Sequence, residues 1–158
     1  MISDEDYLYF AGQALDGMTA IVLELGDDTA NRPAYEGANS PYALLHHCLA
    51  VVETWAGGFV HGRSIERDRD AEFSATGRVA PLAQRAALVH EQLRDDVRRC
   101  SPDRPLAQEP PPSFLGPARP LTQGGALQHV FEELAQHHGQ METLRDLLLI
   151  ERSSRVDP

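Results

Sequence analysis

At 158 residues and 42% apolar content, the chain has the size of one domain with a sizeable core and is too short for two. Its 24 acidic residues outweigh 14 basic ones, all of them arginine, and the net charge of −10 argues against a surface built to neutralise nucleic-acid phosphates. No uninterrupted apolar run reaches the roughly 20 residues of a membrane span, and "MISDEDYLYF" is acidic where a secretory leader is basic. Two cysteines, Cys48 and Cys100, are too few for a disulfide framework, so a reducing, cytoplasmic setting is expected, with each cysteine in the core.

Four segments carry helical periodicity and none sustains the alternation of a strand, which predicts an all-α four-helix bundle with long loops. The first helix starts at an N-cap on Ser3, with Asp4, Glu5 and Asp6 in the opening turn. It sets Tyr7, Phe10, Ala14, Met18, Ile21 and Leu25 on one stripe and ends near Gly26. The second begins at "SPYALLHHCLAVVETWAGGFV", where Ser40 caps and Pro41 suits the first helical position, and its stripe is Leu44, Cys48, Val51, Val52, Trp55 and Phe59. The third, "APLAQRAALVHEQLRDDVRRC", repeats Leu82, Ala86, Val89, Leu93 and Val97. The fourth follows a cap at Thr122 and runs to about Ile150.

The links differ in character. "GDDTANRPAYEGANS" is polar and turn-rich, "HGRSIERDRDAEFSATGRV" is charged, and "SPDRPLAQEPPPSFLGPARPLT" is too dense in proline to be helical. Residues 1–152 are expected to form the single domain, with a frayed tail at 153–158.

The last helix, "HVFEELAQHHGQMETLRDLLL", carries the chemistry. With Val130 at zero and about 100° per residue, Leu134, His137, Met141, Leu144 and Leu148 fall within roughly 40°, which puts His137 in the middle of the buried stripe. Glu133 falls at about −60°, inside the edge of that stripe. One helical turn therefore projects a carboxylate and an imidazole at i and i+4 toward the bundle interior, a spacing that can chelate one ion. His129 and Gln140 lie further round the same side, His138 on the opposite flank, and Glu132 points to water. On the second helix His47 sits at the core margin and His46 faces solvent, so His47 is the better third ligand. Three ligands of the type His, Glu, His with positions left open make a catalytic rather than a closed structural arrangement. On spacing alone the simpler reading is a buried polar pair of Glu133 and His137, or bonds from them to the backbone, beside a surface His46–His47 dipeptide.

"SPYALLHHCLAVVETW", followed much later by "HVFEELAQHHGQMETLRDLL", resembles the DinB-like superfamily, whose members pair a histidine on the second helix with His-x-x-x-His on the last. The resemblance spans both signature helices and the order of all four. Carried over position by position, it implies His47, Glu133 and His137 as ligands, with Glu133 standing where many relatives have histidine. That His, Glu, His set is similar to the mycothiol-dependent maleylpyruvate isomerase branch, which binds zinc and uses a low-molecular-weight thiol. The resemblance thus implies a divalent metal, zinc first and nickel as the alternative, and a thiol-dependent transferase or isomerase acting on a small molecule. A metal-dependent hydrolase and a non-catalytic, stress-associated metal- or ligand-binding bundle stand as the other readings.

Three further expectations complete the picture. His129 is a candidate to orient Glu133 from one turn away. Arg63, Arg67 and Arg145 are candidates to hold a carboxylate of thiol or substrate, against the simpler reading that Glu66, Asp68, Asp70 and Glu72 pair with the arginines of the charged link at the surface. The partners expected are a small-molecule substrate or thiol and a second copy of the chain, with no nucleic acid and no membrane.

Overall fold

A computed structural model describes residues 2–111, 117 and 119–154. The first helix, α1, spans Asp4–Ala30 and opens where the Ser3 hydroxyl accepts the Asp6 backbone N–H at 3.1 Å. Its buried side is Tyr7, Ala11, Ala14, Leu15, Met18, Ile21, Val22 and Leu25. Phe10, expected on that stripe, is 51% exposed. It lies about 60° from Tyr7, on the side away from Ala11, Leu15 and Val22, so the true stripe is centred off its edge. Gly26 takes φ 72°, ψ 174°, a conformation open mainly to glycine, and the helix kinks there but resumes to Ala30 instead of ending.

The kink has a use. Asp27 Oδ1 accepts the backbone N–H of Val79 at 2.8 Å, capping a later helix that has no side-chain cap of its own, and Asn31 bonds both the N–H and the C=O of Gly77. That later helix, α4, spans Val79–Arg99 and buries Leu82, Ala86, Val89, Leu93 and Val97 as its periodicity predicts. It also buries Asp96, to 1% exposure.

Helix α2, Pro41–Val52, starts with the Ala43 N–H bonded to Ser40 Oγ at 3.1 Å and continues without a break into a π-helical segment, Glu53–Val60. Together they make the one stretch, among the described residues, long and apolar enough to cross a membrane, and 89% of its apolar window is buried in the bundle. The wider π turn adds residues per turn and re-aims side chains, as often happens next to functional sites. Here it seats Trp55 edge-on against Phe59, with centroids 5.0 Å apart.

A short helix, α3 (Arg69–Glu72), is capped by Asp68 and packs on α2. The last helix, α5, spans Gln123–Ser154, with Thr122 Oγ1 taking the Gly125 N–H at its start. It runs past Ile150, so Ser153 and Ser154, expected in a frayed tail, are helical; 155–158 lie outside the described residues. Parts of the proline-rich link, 112–116 and 118, lie outside them too. Before those parts, the link is pinned where the Ala107 and Gln108 N–H groups both donate to Phe59 C=O. Helix α1 packs on α5 and α4, and α2 with its π segment packs on α5 and α4, so four long helices enclose one core with α3 outside α2. The all-α bundle with long loops is the architecture observed.

Candidate metal centre

His47, Glu133 and His137 converge where α2 faces α5. Their ligand atoms all lie within 4.8 Å of one another, so the group could hold a metal ion. Glu133 Oε2 is 3.4 Å from His47 Nε2 and 3.6 Å from His137 Nε2. The far nitrogen of each ring is already engaged: His47 Nδ1 meets Glu72 Oε2 at 2.7 Å, and His137 Nδ1 meets Gln140 Oε1 at 2.9 Å. The two rings stand edge to face at 5.1 Å. His47 is buried, at 4% side-chain exposure, whereas Glu133 and His137 keep 27% and 20%. His137 thus sits at the mouth of the site and not in the middle of the buried stripe. The stripe opens at that turn, between the buried Leu134 and Met141.

Electrostatics follow from this packing. Bonds to His137 and His47 hold the Glu133 carboxyl well below the ordinary carboxylate range, against the opposing effect of burial. For His47, burial disfavours the charged ring, but the bonds to Glu133 and Glu72 outweigh it and carry its pKa above the ordinary imidazole value.

His129 stands beside the group without bonding Glu133. Its Nε2 is 3.9 Å from Glu133 Oε1, its Nδ1 is 3.3 Å from the exposed Glu132, and its ring packs edge-on against Trp55 with centroids 4.5 Å apart. Each of the three arginines is already paired with an acid. Arg63 makes a bidentate pair with Asp96 of α4, at 2.6 and 2.5 Å. Arg67 makes one with Glu72, at 2.6 and 2.9 Å, and Arg145 pairs with its neighbour Asp146. An incoming carboxylate would have to displace those acids.

Glu72 is the residue that the charged link concealed. Surrounded by Glu66, Asp68 and Asp70, it reads as part of a solvated run, yet it is 3% exposed. The one apolar signal beside it was Phe73, which turns inward, whereas Ala71 on its other side is exposed. Phe73 stacks on the His47 ring at 4.6 Å. His46, expected to face water, instead buries Nδ1 without a partner, and so does Thr54 its Oγ1. Both residues line a cleft of about 290 Å³ whose walls also include Glu72 and the Arg85–Glu53 ion pair. Burial and nearby Arg85 lower the pKa of His46 below the ordinary imidazole value.

A family model described as the DinB superfamily matches residues 12–141. A search of curated proteins finds no match. With the family match running from α1 through both site-bearing helices to Met141, the chain belongs to the DinB superfamily.

Proposed function

We propose that His47, Glu133 and His137 hold a divalent metal, zinc first and nickel as the alternative, and that the protein is a metal-dependent enzyme using a low-molecular-weight thiol for transfer or isomerisation. The observation that carries this reading is the orientation of the two rings: each imidazole has Nδ1 against an acceptor and turns Nε2 to the shared Glu133 oxygen. Metal-bound histidines are held in this way, one nitrogen ligating and the other fixed by an outer acceptor.

Distances fit the same reading. Tetrahedral zinc with bonds of 2.0–2.1 Å sets its ligand atoms about 3.3 Å apart. Two of the three separations are 3.4 and 3.6 Å, and the third is within 4.8 Å, which a small ring rotation at half-open His137 would close. Three protein ligands leave one position for a thiol or water. A divalent ion there lowers the pKa of the group it binds, so that thiolate or hydroxide is available near neutral pH. The chain's own contribution is placement: His47 is immobilised in the core, Glu133 supplies the single negative charge, and His137 lies at the entrance where substrate would meet the site.

The non-catalytic reading has one observation in its favour. Glu133 is already ringed by imidazoles, so the polar cluster is satisfied without an ion. Pairing of two copies belongs to the proposal as well: Tyr9 and Phe10 are exposed on α1, with Phe131 of α5 beside Phe10 at 6.5 Å. A cytoplasmic location suits the free cysteines.

Elemental analysis of the untagged protein beside His47→Ala and Glu133→Ala tests the metal reading. About one zinc or nickel per chain, lost in both variants, supports it and directs screening to thiol-dependent transfer. No metal in the wild type after reconstitution leaves the non-catalytic bundle.

A further inference from the structure

The charged link after α2 carries a second, unassigned part of the centre. Three groups that ordinarily seek water lie in a row, Arg67, Glu72 and His47, at 4%, 3% and 4% side-chain exposure. Both Glu72 oxygens are occupied by Arg67, at 2.6 and 2.9 Å, and one of them also meets His47 Nδ1 at 2.7 Å. Phe73, the next residue, lies against the flat of the same ring.

We propose that Glu72, held by Arg67, is the positioning residue of the metal centre: it fixes His47 in the Nδ1–H tautomer and aims Nε2 at Glu133 and the ion. The inference rests on the metal reading of His47, Glu133 and His137. Both ring nitrogens face carboxylates, which can only accept, but Glu72 stands at 2.7 Å from Nδ1 and Glu133 at 3.4 Å from Nε2, so the single hydrogen of a neutral His47 belongs on Nδ1 and the lone pair on Nε2. Phe73 fixes the plane of the ring and Glu72 fixes its rotation within that plane. The pair also leaves the charge of the site unchanged, because Arg67 cancels Glu72. With a divalent ion against Glu133 alone, the centre keeps one net positive charge, which favours an anionic fourth ligand such as a thiolate. An unpaired acid in place of Glu72 would remove that preference.

Glu72→Gln separates positioning from bulk. Arg67 donates to both oxygens and demands acceptors, so the amide NH₂ turns toward His47 Nδ1, draws the ring into the Nε2–H tautomer and blocks ligation. The probe is Co²⁺, followed by its visible absorption and by competition with a chelator, for wild type, Glu72→Gln and His137→Ala, with far-UV circular dichroism as the control for folding. We expect Glu72→Gln to stay helical, bind Co²⁺ roughly 10–100-fold more weakly and show an altered absorption band. Wild-type affinity and band in Glu72→Gln would overturn the positioning role while leaving the metal site standing. No Co²⁺ uptake by the wild type would remove the metal reading and the positioning role together. A measurement on the metal-free wild type needs no variant: long-range ¹H–¹⁵N correlation at about pH 9, where imidazoles are largely neutral, should report His47 as Nδ1–H. An Nε2–H signal there overturns the proposal whatever the variant does.

Discussion

Replacing Glu133 by glutamine keeps the shape of the side chain and removes the one charge that three imidazoles share. In the presence of zinc the effect is one of linkage. At free metal about 100 times Kd, binding stabilises the wild type by about 2.7 kcal/mol. For a chain of this size each kcal/mol moves Tm by roughly 2–4 °C, so saturation should raise Tm by about 5–11 °C. Losing an outer partner of a ligand costs roughly 10–100-fold in affinity, and losing a ligand itself should cost at least about 100-fold. At the same free zinc the variant would then gain only about 0.4 kcal/mol, or about 1 °C. Under chelation the difference depends on pH. The depressed Glu133 pKa contributes stability above the ordinary carboxyl value of 4.5, and the raised His47 pKa contributes below its ordinary 6.5. The metal-free wild type should therefore exceed Glu133→Gln most clearly between about pH 4.5 and 6.5, and the gap should shrink as His47 deprotonates above that. Thermal melts with and without zinc, at pH values either side of that window, make the test. A wild type whose Tm ignores saturating zinc and nickel, or a Glu133→Gln variant that gains as much as the wild type, would refute the reasoning.

Four other outcomes follow from individual contacts. Asp96→Asn removes the charge under Arg63 and should cost roughly 2–3 kcal/mol by thermal melt, less than a fully buried pair because the guanidinium is 32% exposed and can hydrate. Gly57→Ala should destabilise through the same contact, since an added methyl group would run into the Arg63 guanidinium, and the double variant should fall short of the sum of the two losses. Glu72, whose carboxyl is brought down to about 2 by Arg67 and His47 against the pull of burial, should contribute stability on the order of 3 kcal/mol above pH 4.5 and lose it as pH falls toward 2. Urea unfolding of wild type and Glu72→Gln across that range checks it. A thiol reagent should modify half-buried Cys100 well before Cys48, whose burial inside the core pushes its thiol pKa far up, and unfolding should abolish the difference.

That His47, Glu133 and His137 converge was legible because a helix is periodic. Once α2 and α5 are placed by their apolar stripes, i and i+4 fix which side chains face which partner. Phe10 and His137 mark the limit of that logic. An ideal angle places a residue to within one edge of a stripe, and the neighbouring helices decide whether that edge is covered. The π segment was hidden for a related reason, since a pattern read at 3.6 residues per turn has no place for a wider one. Gly26 was correctly singled out, but a glycine at positive φ ends some helices and only kinks others, and what let α1 resume was tertiary: Asp27 and Asn31 tie the kinked end to the start of α4. Glu72 was hard to pick out because a run of alternating charges carries no periodic signal, and the lone Phe73 beside it does not say which carboxylate turns inward. Which carboxylate turns inward depends on a single turn of helix, α3, too short to announce itself.

The buried Arg67–Glu72 pair raises a final question of energy. Taking both charges out of water costs several kcal/mol per ion, and their attraction need not repay it, so an apolar pair of similar volume in the same space is often as stable or more so. Stability alone therefore gives no reason to bury charge beside His47, whereas control of a ligand's tautomer does. The double replacement Arg67→Met with Glu72→Leu should accordingly leave Tm unchanged or raise it by a few degrees, while weakening Co²⁺ binding at least as much as Glu72→Gln does, because nothing then holds the proton on His47 Nδ1. The single change Arg67→Met should behave differently. It strands a buried carboxylate against one imidazole, and it should lower Tm where the double replacement does not. Differential scanning calorimetry of the three metal-free proteins, followed by the Co²⁺ competition, separates the cases. A double variant that melts as low as Arg67→Met would mean that the pair is structural, and the stability of the link, not the aim of His47, would then account for its burial.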